Sequence, residues 1–330
     1  MKLVRKSCAA LVAALTLGIG TGIMGQNANP TDPKGTPGRL VKLNLIVTDS
    51  ADHSLDKIRK EDVQVFEGNM QQTITLFEKD ERPIDYGIAI DMSGSFRQVS
   101  GSVLDVLKEM IDNLRPNDEM FIERFISSDK IETIQDFTAN KELLLAARKQ
   151  MRVEGGQSAI IDGVYLAVAQ AARHAQKERR SSVVLVTDGE DRSSHYSLEQ
   201  LVKLLRETNI QVFVIGITTE LDKENGLIRR SPRQKAESLL TTIAEESGGR
   251  LFLLSNESQL KKAAAEIIQN LHSQYSVSYF STSAGSSDFQ KVTVKLLSTT
   301  KGDKRKVIAP RGYWLKVPPL DSKSKDKKAP

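Results

Sequence analysis

Between residues 84 and 272 short apolar runs alternate with amphipathic stretches, and this alternation restricts the chain to few folds. Tyr86-Gly87-Ile88-Ala89-Ile90 is a continuous apolar run, as in strands covered on both faces of a parallel sheet. Val99, Val103, Val106, Leu107, Met110 and Leu114 then recur at helical spacing, and Arg115-Pro116-Asn117 ends that pattern. Further strands are predicted at 120–126, 131–136, 183–187, 212–217 and 251–254, and further helices at 141–151, 159–175, 198–208, 234–246 and 259–271. Strand and helix in alternation predict an α/β domain over 84–272, with a doubly wound, mostly parallel sheet.

The flanks are written differently. Residues 39–48 largely alternate and are rich in branched side chains, which is a strand signal. Residues 63–66 and 73–77 are short strands, and Glu67-Gly68-Asn69 between them predicts a hairpin. After Leu271, strand patterns return at 275–280, 289–297, 306–308 and 313–317. Neither set is large enough for an independent domain, and the ends of an inserted α/β domain can lie close together. Residues 39–83 and 273–317 are therefore expected to form one small antiparallel β-sandwich into which 84–272 is inserted, with Tyr313 and Trp314 capping its core. Residues 26–38 read as a Pro/Gly-rich linker and 318–330 as a Lys-rich, disordered tail.

The first residues read as an export signal. Lys2, Arg5 and Lys6 precede an apolar stretch over 8–17, followed by Gly18, Gly20, Gly22 and Gly25. Cleavage is expected near Gly25–Gln26, making 1–25 a signal peptide and the protein periplasmic, secreted or cell-surface. The alternative is an uncleaved membrane anchor, because 7–24 reaches the ~18 residues at which a span becomes feasible. Without this stretch the balance is 44 basic against 42 acidic residues. No basic stripe with interleaved aromatics occurs, so a nucleic-acid partner is not expected. Cys8 is the only cysteine and lies inside the signal, which excludes disulfides and thiolate zinc sites from the exported part.

Three polar segments follow buried strands or precede a helix: Asp91-Met92-Ser93-Gly94-Ser95, Gly155-Gly156-Gln157-Ser158-Ala159 and Thr187-Asp188-Gly189-Glu190-Asp191. In open parallel sheets ligands bind beyond the carboxyl ends of the strands, so these loops can converge. The candidate donors are Asp91, Ser93, Ser95, Ser158 and Asp188, all oxygens, which suit a hard divalent cation: Mg²⁺ first, with Mn²⁺ or Ca²⁺ as alternatives. Gly94 is expected to let the first loop bend. Taken singly, the serine motifs read as helix caps and Asp188-Gly189 as a turn; it is their order on alternating elements that points to a metal.

This arrangement resembles a von Willebrand factor type A (VWA) domain, a Rossmann-like fold with a metal-ion-dependent adhesion site (MIDAS). Asp91, Ser93 and Ser95 match its Asp-x-Ser-x-Ser motif, Ser158 stands where the pattern has Thr, and Asp188 matches the distant Asp. The resemblance implies that the hydroxyls contact the metal and that the carboxylates act partly through water. It also implies a protein partner whose Asp or Glu completes the coordination. Lys60-Glu61-Asp62-Val63-Gln64-Val65-Phe66-Glu67-Gly68 and Arg311-Gly312-Tyr313-Trp314 are similar to flanking motifs of exported bacterial VWA-related proteins.

No catalytic residue is expected. Ser93 occupies the place where an aspartyl phosphatase needs a second acid. No Gly-x-Ser-x-Gly elbow or phosphate-binding Gly-x-x-x-x-Gly-Lys loop is present. His174 and His272 fall late in helices, where they complement the dipole, and His195 reads as solvated. Glu190 and Asp191 read either as outer acids beside a metal or as a solvated loop. Arg229-Arg230-Ser231-Pro232-Arg233 reads as a turn or as a contact for an acidic partner. The function expected is metal-dependent protein binding or adhesion; the alternative is a scaffold protein whose metal site is only structural.

Overall fold

A computed structural model describes residues 38–218, 221, 231–281, 289–297 and 304–314. The expected signal, most of the linker, the Lys-rich tail, and Arg229 and Arg230 of the basic cluster lie outside the described residues.

The α/β unit is built on six strands. These are β5 (Ile84–Asp91), β6 (Glu119–Ser127), β7 (Lys130–Thr138), β8 (Arg180–Thr187), β9 (Gln211–Gly216) and β10 (Leu251–Leu253), in spatial order β10-β9-β8-β5-β6-β7. All neighbours are parallel except β6 and β7. One face is covered by α1 (Ser100–Asp112), α2 (Lys141–Arg148) and α6 (Leu260–His272), packed on Tyr86, Ile88 and Ile90. The other face is covered by α3 (Ile160–His174), α4 (Leu198–Thr208) and α5 (Pro232–Ser247), packed on Ala89, Val183 and Leu185. The central strands β5 and β8 are buried along almost their whole length, which is why they read as unbroken apolar runs.

Two four-stranded sheets make up the rest. One contains β1 (Arg39–Thr48), β4 (Ile74–Lys79), β11 (Gln274–Ser281) and β13 (Lys306–Ile308), in the order β13-β1-β11-β4. The other contains β2 (Val63–Glu67), β3 (Met70–Gln72), β12 (Phe289–Leu296) and β14 (Gly312–Trp314), in the order β14-β12-β2-β3. Val41, Leu43, Leu45 and Val47 of β1 share a core with Val65, Val292, Val277 and the buried Tyr313. The Trp314 side chain lies outside the described residues. Ile46, on the opposite face of β1, joins the α/β core, so this strand ties the two units together.

The expected hairpin needs correcting. β2 turns through Gly68 and Asn69 into β3, whereas β4 crosses to the other sheet and pairs with β11. A three-residue strand of Met and Gln carries too little β-branched pattern to be seen beside the stronger run after it.

Candidate metal centre

Asp91 ends the central strand β5 and is fully buried. Its Oδ1 accepts the Ser93 amide at 3.0 Å, which folds the chain back into a 3-10 turn over Gly94–Arg97. Its Oδ2 accepts two hydroxyls, from Ser158 and Thr187, each at 2.8 Å. Ser158 comes from the segment before α3 and Thr187 from the end of β8, so this carboxylate draws the three loops together. The Ser93 and Ser95 hydroxyls lie 3.1 Å apart. Asp188 is 7% exposed, and its Oδ1 accepts the Glu190 amide. Asp91, Ser93, Ser95, Ser158 and Asp188 thus all stand at the carboxyl edge of the sheet.

The serines do not cap helices. Ser93 makes no side-chain cap bond, and Ser158 donates its proton to Asp91, while the α3 N-cap position is Ala159, which makes no side-chain cap bond. The α3 N-terminus is served instead by Asp191, whose Oδ1 accepts Ile161 N and the Ser194 hydroxyl. Asp191 is therefore tied into the fold through Oδ1 and is more than a solvated loop residue. Gly94 also departs from expectation: its φ is not positive, and a Cβ there would meet nothing within 4 Å. The glycine that the site requires is Gly189, at φ +86, where a Cβ would lie 2.9 Å from that of Ala236.

Burial, and next the charge of Asp188, push the Asp91 carboxyl up to about 6. Among the described residues no cationic side chain pairs with either acid. Two buried carboxylates with no ion-paired cation, among those residues only Arg192 within electrostatic reach of Asp188, and neutral hydroxyls beside them suit a cation. The hydroxyl spacing fits as well, because adjacent ligands of an octahedral Mg²⁺, each at 2.0–2.1 Å, lie about 2.9 Å apart.

Thr187 and Asp162 escape the sequence reading. Thr187 Oγ1 donates to Asp91 and accepts Gly189 N at 3.1 Å. Asp162, buried in α3, accepts the amides of His195 and Tyr196 and pins the loop that carries Asp188. The signal for Thr187 was its place directly before Asp188 at the end of a buried strand. A single Asp inside a helix carries no such signal.

The histidines do more than complement helix dipoles. His272 Nε2 lies 2.8 Å from Asp118 Oδ2 and its Nδ1 2.8 Å from Ile268 O. His174 stacks on Phe137 and approaches Glu119 and Asp85 at the opposite edge of the sheet. Arg179 binds both Asp85 oxygens there, so the guanidinium already provides the positive charge of that cluster.

Among known proteins, the subunit 2 of an ATP-dependent DNA helicase II from Aspergillus sojae is 34% identical over 93 residues, 27% of this chain and 13% of that protein's length. A von Willebrand factor type A structure from Catenulispora acidiphila is 13% identical with a TM-score of 0.48, covering 74% of this chain and 75% of that one. Proximal thread matrix protein 1 of the mussel byssus, solved with a zinc-occupied MIDAS motif, is 20% identical with a TM-score of 0.46, covering 61% of this chain and 48% of that one. The model of the von Willebrand factor type A domain matches residues 85–268, more than half of the chain, and the protein belongs to that family.

Proposed function

We propose that this protein binds a protein partner through a divalent cation, Mg²⁺ first, held by Ser93, Ser95 and Ser158, with Asp91 and Asp188 supplying charge from behind. The observation that carries this reading is the double acceptance at Asp91 Oδ2. By accepting the Ser158 hydrogen bond, Asp91 leaves that oxygen's lone pairs free to face a cation, and the serine motif takes no part in capping. When bound, the ion supplies a Lewis-acidic position that an Asp or Glu of the partner can fill. The donor set is oxygen alone and includes no histidine, and we read it as a binding module rather than an enzyme. We place it on the exported side of a membrane on the strength of residues 1–25; N-terminal sequencing of native material should start near Gln26.

Capture of cell-surface or matrix proteins in Mg²⁺ and in EDTA tests the reading. Partners should be released by EDTA and should not bind Asp91→Ala. Partner binding that survives both treatments, in folded protein, would instead support a metal site that is only structural.

A further inference from the structure

A cavity of about 530 Å³ opens between the edge strand β7 and the C-terminal half of α3, far along that helix from Ser158. Thr133, Asp136 and Phe137 line it from the strand, and Gln170, Arg173 and His174 from one face of the helix. Its volume falls within the range of small-molecule sites. Most of the lining is held in place. Gln170 is bonded at both ends of its amide: its oxygen accepts the Thr133 hydroxyl and its nitrogen donates to Asp136 Oδ1, each at 3.0 Å. Phe137 N donates to the same Oδ1 at 2.8 Å. The rings of Phe137 and His174 stack, with centroids 3.8 Å apart and planes 7° from parallel. Two charged groups are left over. Among the described residues Asp136 Oδ2 takes no hydrogen bond and no cation, and the exposed Arg173 has neither a hydrogen bond nor an ion pair. The two do not pair with each other.

A carboxylate and a guanidinium, both unpaired and facing one cavity, are complementary to a ligand that carries both charges. An anion alone is repelled by Asp136, and a cation alone by Arg173. The stacked rings beside them suit an aromatic group, which stacks at little cost in side-chain entropy. From this geometry we infer that the cavity binds a zwitterion, an aromatic amino acid or a short peptide with both ends free. Its ammonium meets Asp136, its carboxylate meets Arg173, and its ring packs on Phe137 and His174. The bonds that fix Gln170 and Asp136 hold the ammonium position ready before the ligand arrives. This site is separate from the metal centre and does not depend on the ion.

Titration of the full chain with phenylalanine and with the dipeptide Phe-Ala, followed by NMR, tests it. EDTA is present throughout, so that no metal ion takes the carboxylate of either compound. At least one of them should bind saturably, and the tighter of the two identifies the source as free amino acid or peptide. Blocking either end, as N-acetylphenylalanine or phenylalanine amide, should weaken binding about fivefold. Arg173→Gln and Asp136→Asn change exposed side chains, and the asparagine keeps an acceptor for Phe137 N, so both variants should fold. Each should weaken phenylalanine about fivefold. Asp136→Asn should leave the affinity for N-acetylphenylalanine unchanged, and Arg173→Gln that for the amide. No saturable binding of either compound, equal binding of the blocked forms, or affinities that neither substitution alters would overturn the inference.

Discussion

Asp91 holds three loops at once, and its chemistry sets what the edge of the sheet can do. Its carboxyl is pushed up to about 6, so a cation must compete with a proton there. Mg²⁺ affinity should be flat above pH 7 and fall about tenfold per pH unit below 6, as followed by calorimetry between pH 5 and 8. Ser158→Ala should weaken the metal about tenfold, and Ser158→Thr should be tolerated because the hydroxyl is kept. A second buried acid has no such use. Glu123 in β6 lies on the face of Phe121 and Phe125, one of its oxygens lacks a partner, and burial pushes it up to about 8. A raised carboxyl favours the fold at low pH, and that contribution is lost as pH climbs from about 4.5 through 8. Glu123→Gln should therefore raise the melting temperature at pH 8 and change it little at pH 5. The convergence of the five candidate residues was legible because their order on alternating elements is unusual. Thr187 carried only its place before Asp188, and Asp162 and Glu123 carried no signal, because nothing in a local window distinguishes a polar residue that meets its partner only after folding.

At the scale of elements, one carboxylate fastens the two small sheets. Glu67, at the end of β2, accepts the hydroxyls of Tyr279 and Ser281 from β11 and of Tyr313 from β14. The Val65-Phe66-Glu67-Gly68 and Gly312-Tyr313-Trp314 motifs, more than two hundred residues apart, meet at this point, which gives them a shared physical reason. Tyr279→Phe should cost about 2 kcal/mol in urea unfolding, because hydroxyl bonds to a buried charge are among the stronger ones. The cost should shrink once Glu67 is already Gln, since both changes act on one interaction. Element type was readable from period along most of the chain. What could not be read was that β4 leaves its neighbour for the opposite sheet, because pairing depends on contacts with β11 that no local pattern encodes.

At the scale of the molecule, the chain enters the α/β unit through β5 and leaves it through α6, and these two crossings are tied together. Asp118 accepts the Ile84 amide with one oxygen and contacts His272 with the other, while Asp80 N donates to Gln274 O. β11, the first strand after the return, pairs with both β1 and β4. A chain ending at Leu271 loses that strand, so limited proteolysis should then degrade residues 39–79 while the α/β unit persists.

Calorimetric titration of the full chain with Mg²⁺, beside Asp91→Ala, reads the metal site itself. The site lies at the rim of the sheet, so the variant should remain folded. One Mg²⁺ should bind per wild-type chain and none measurably to Asp91→Ala; equal affinity in the two proteins would rule out metal binding at Asp91.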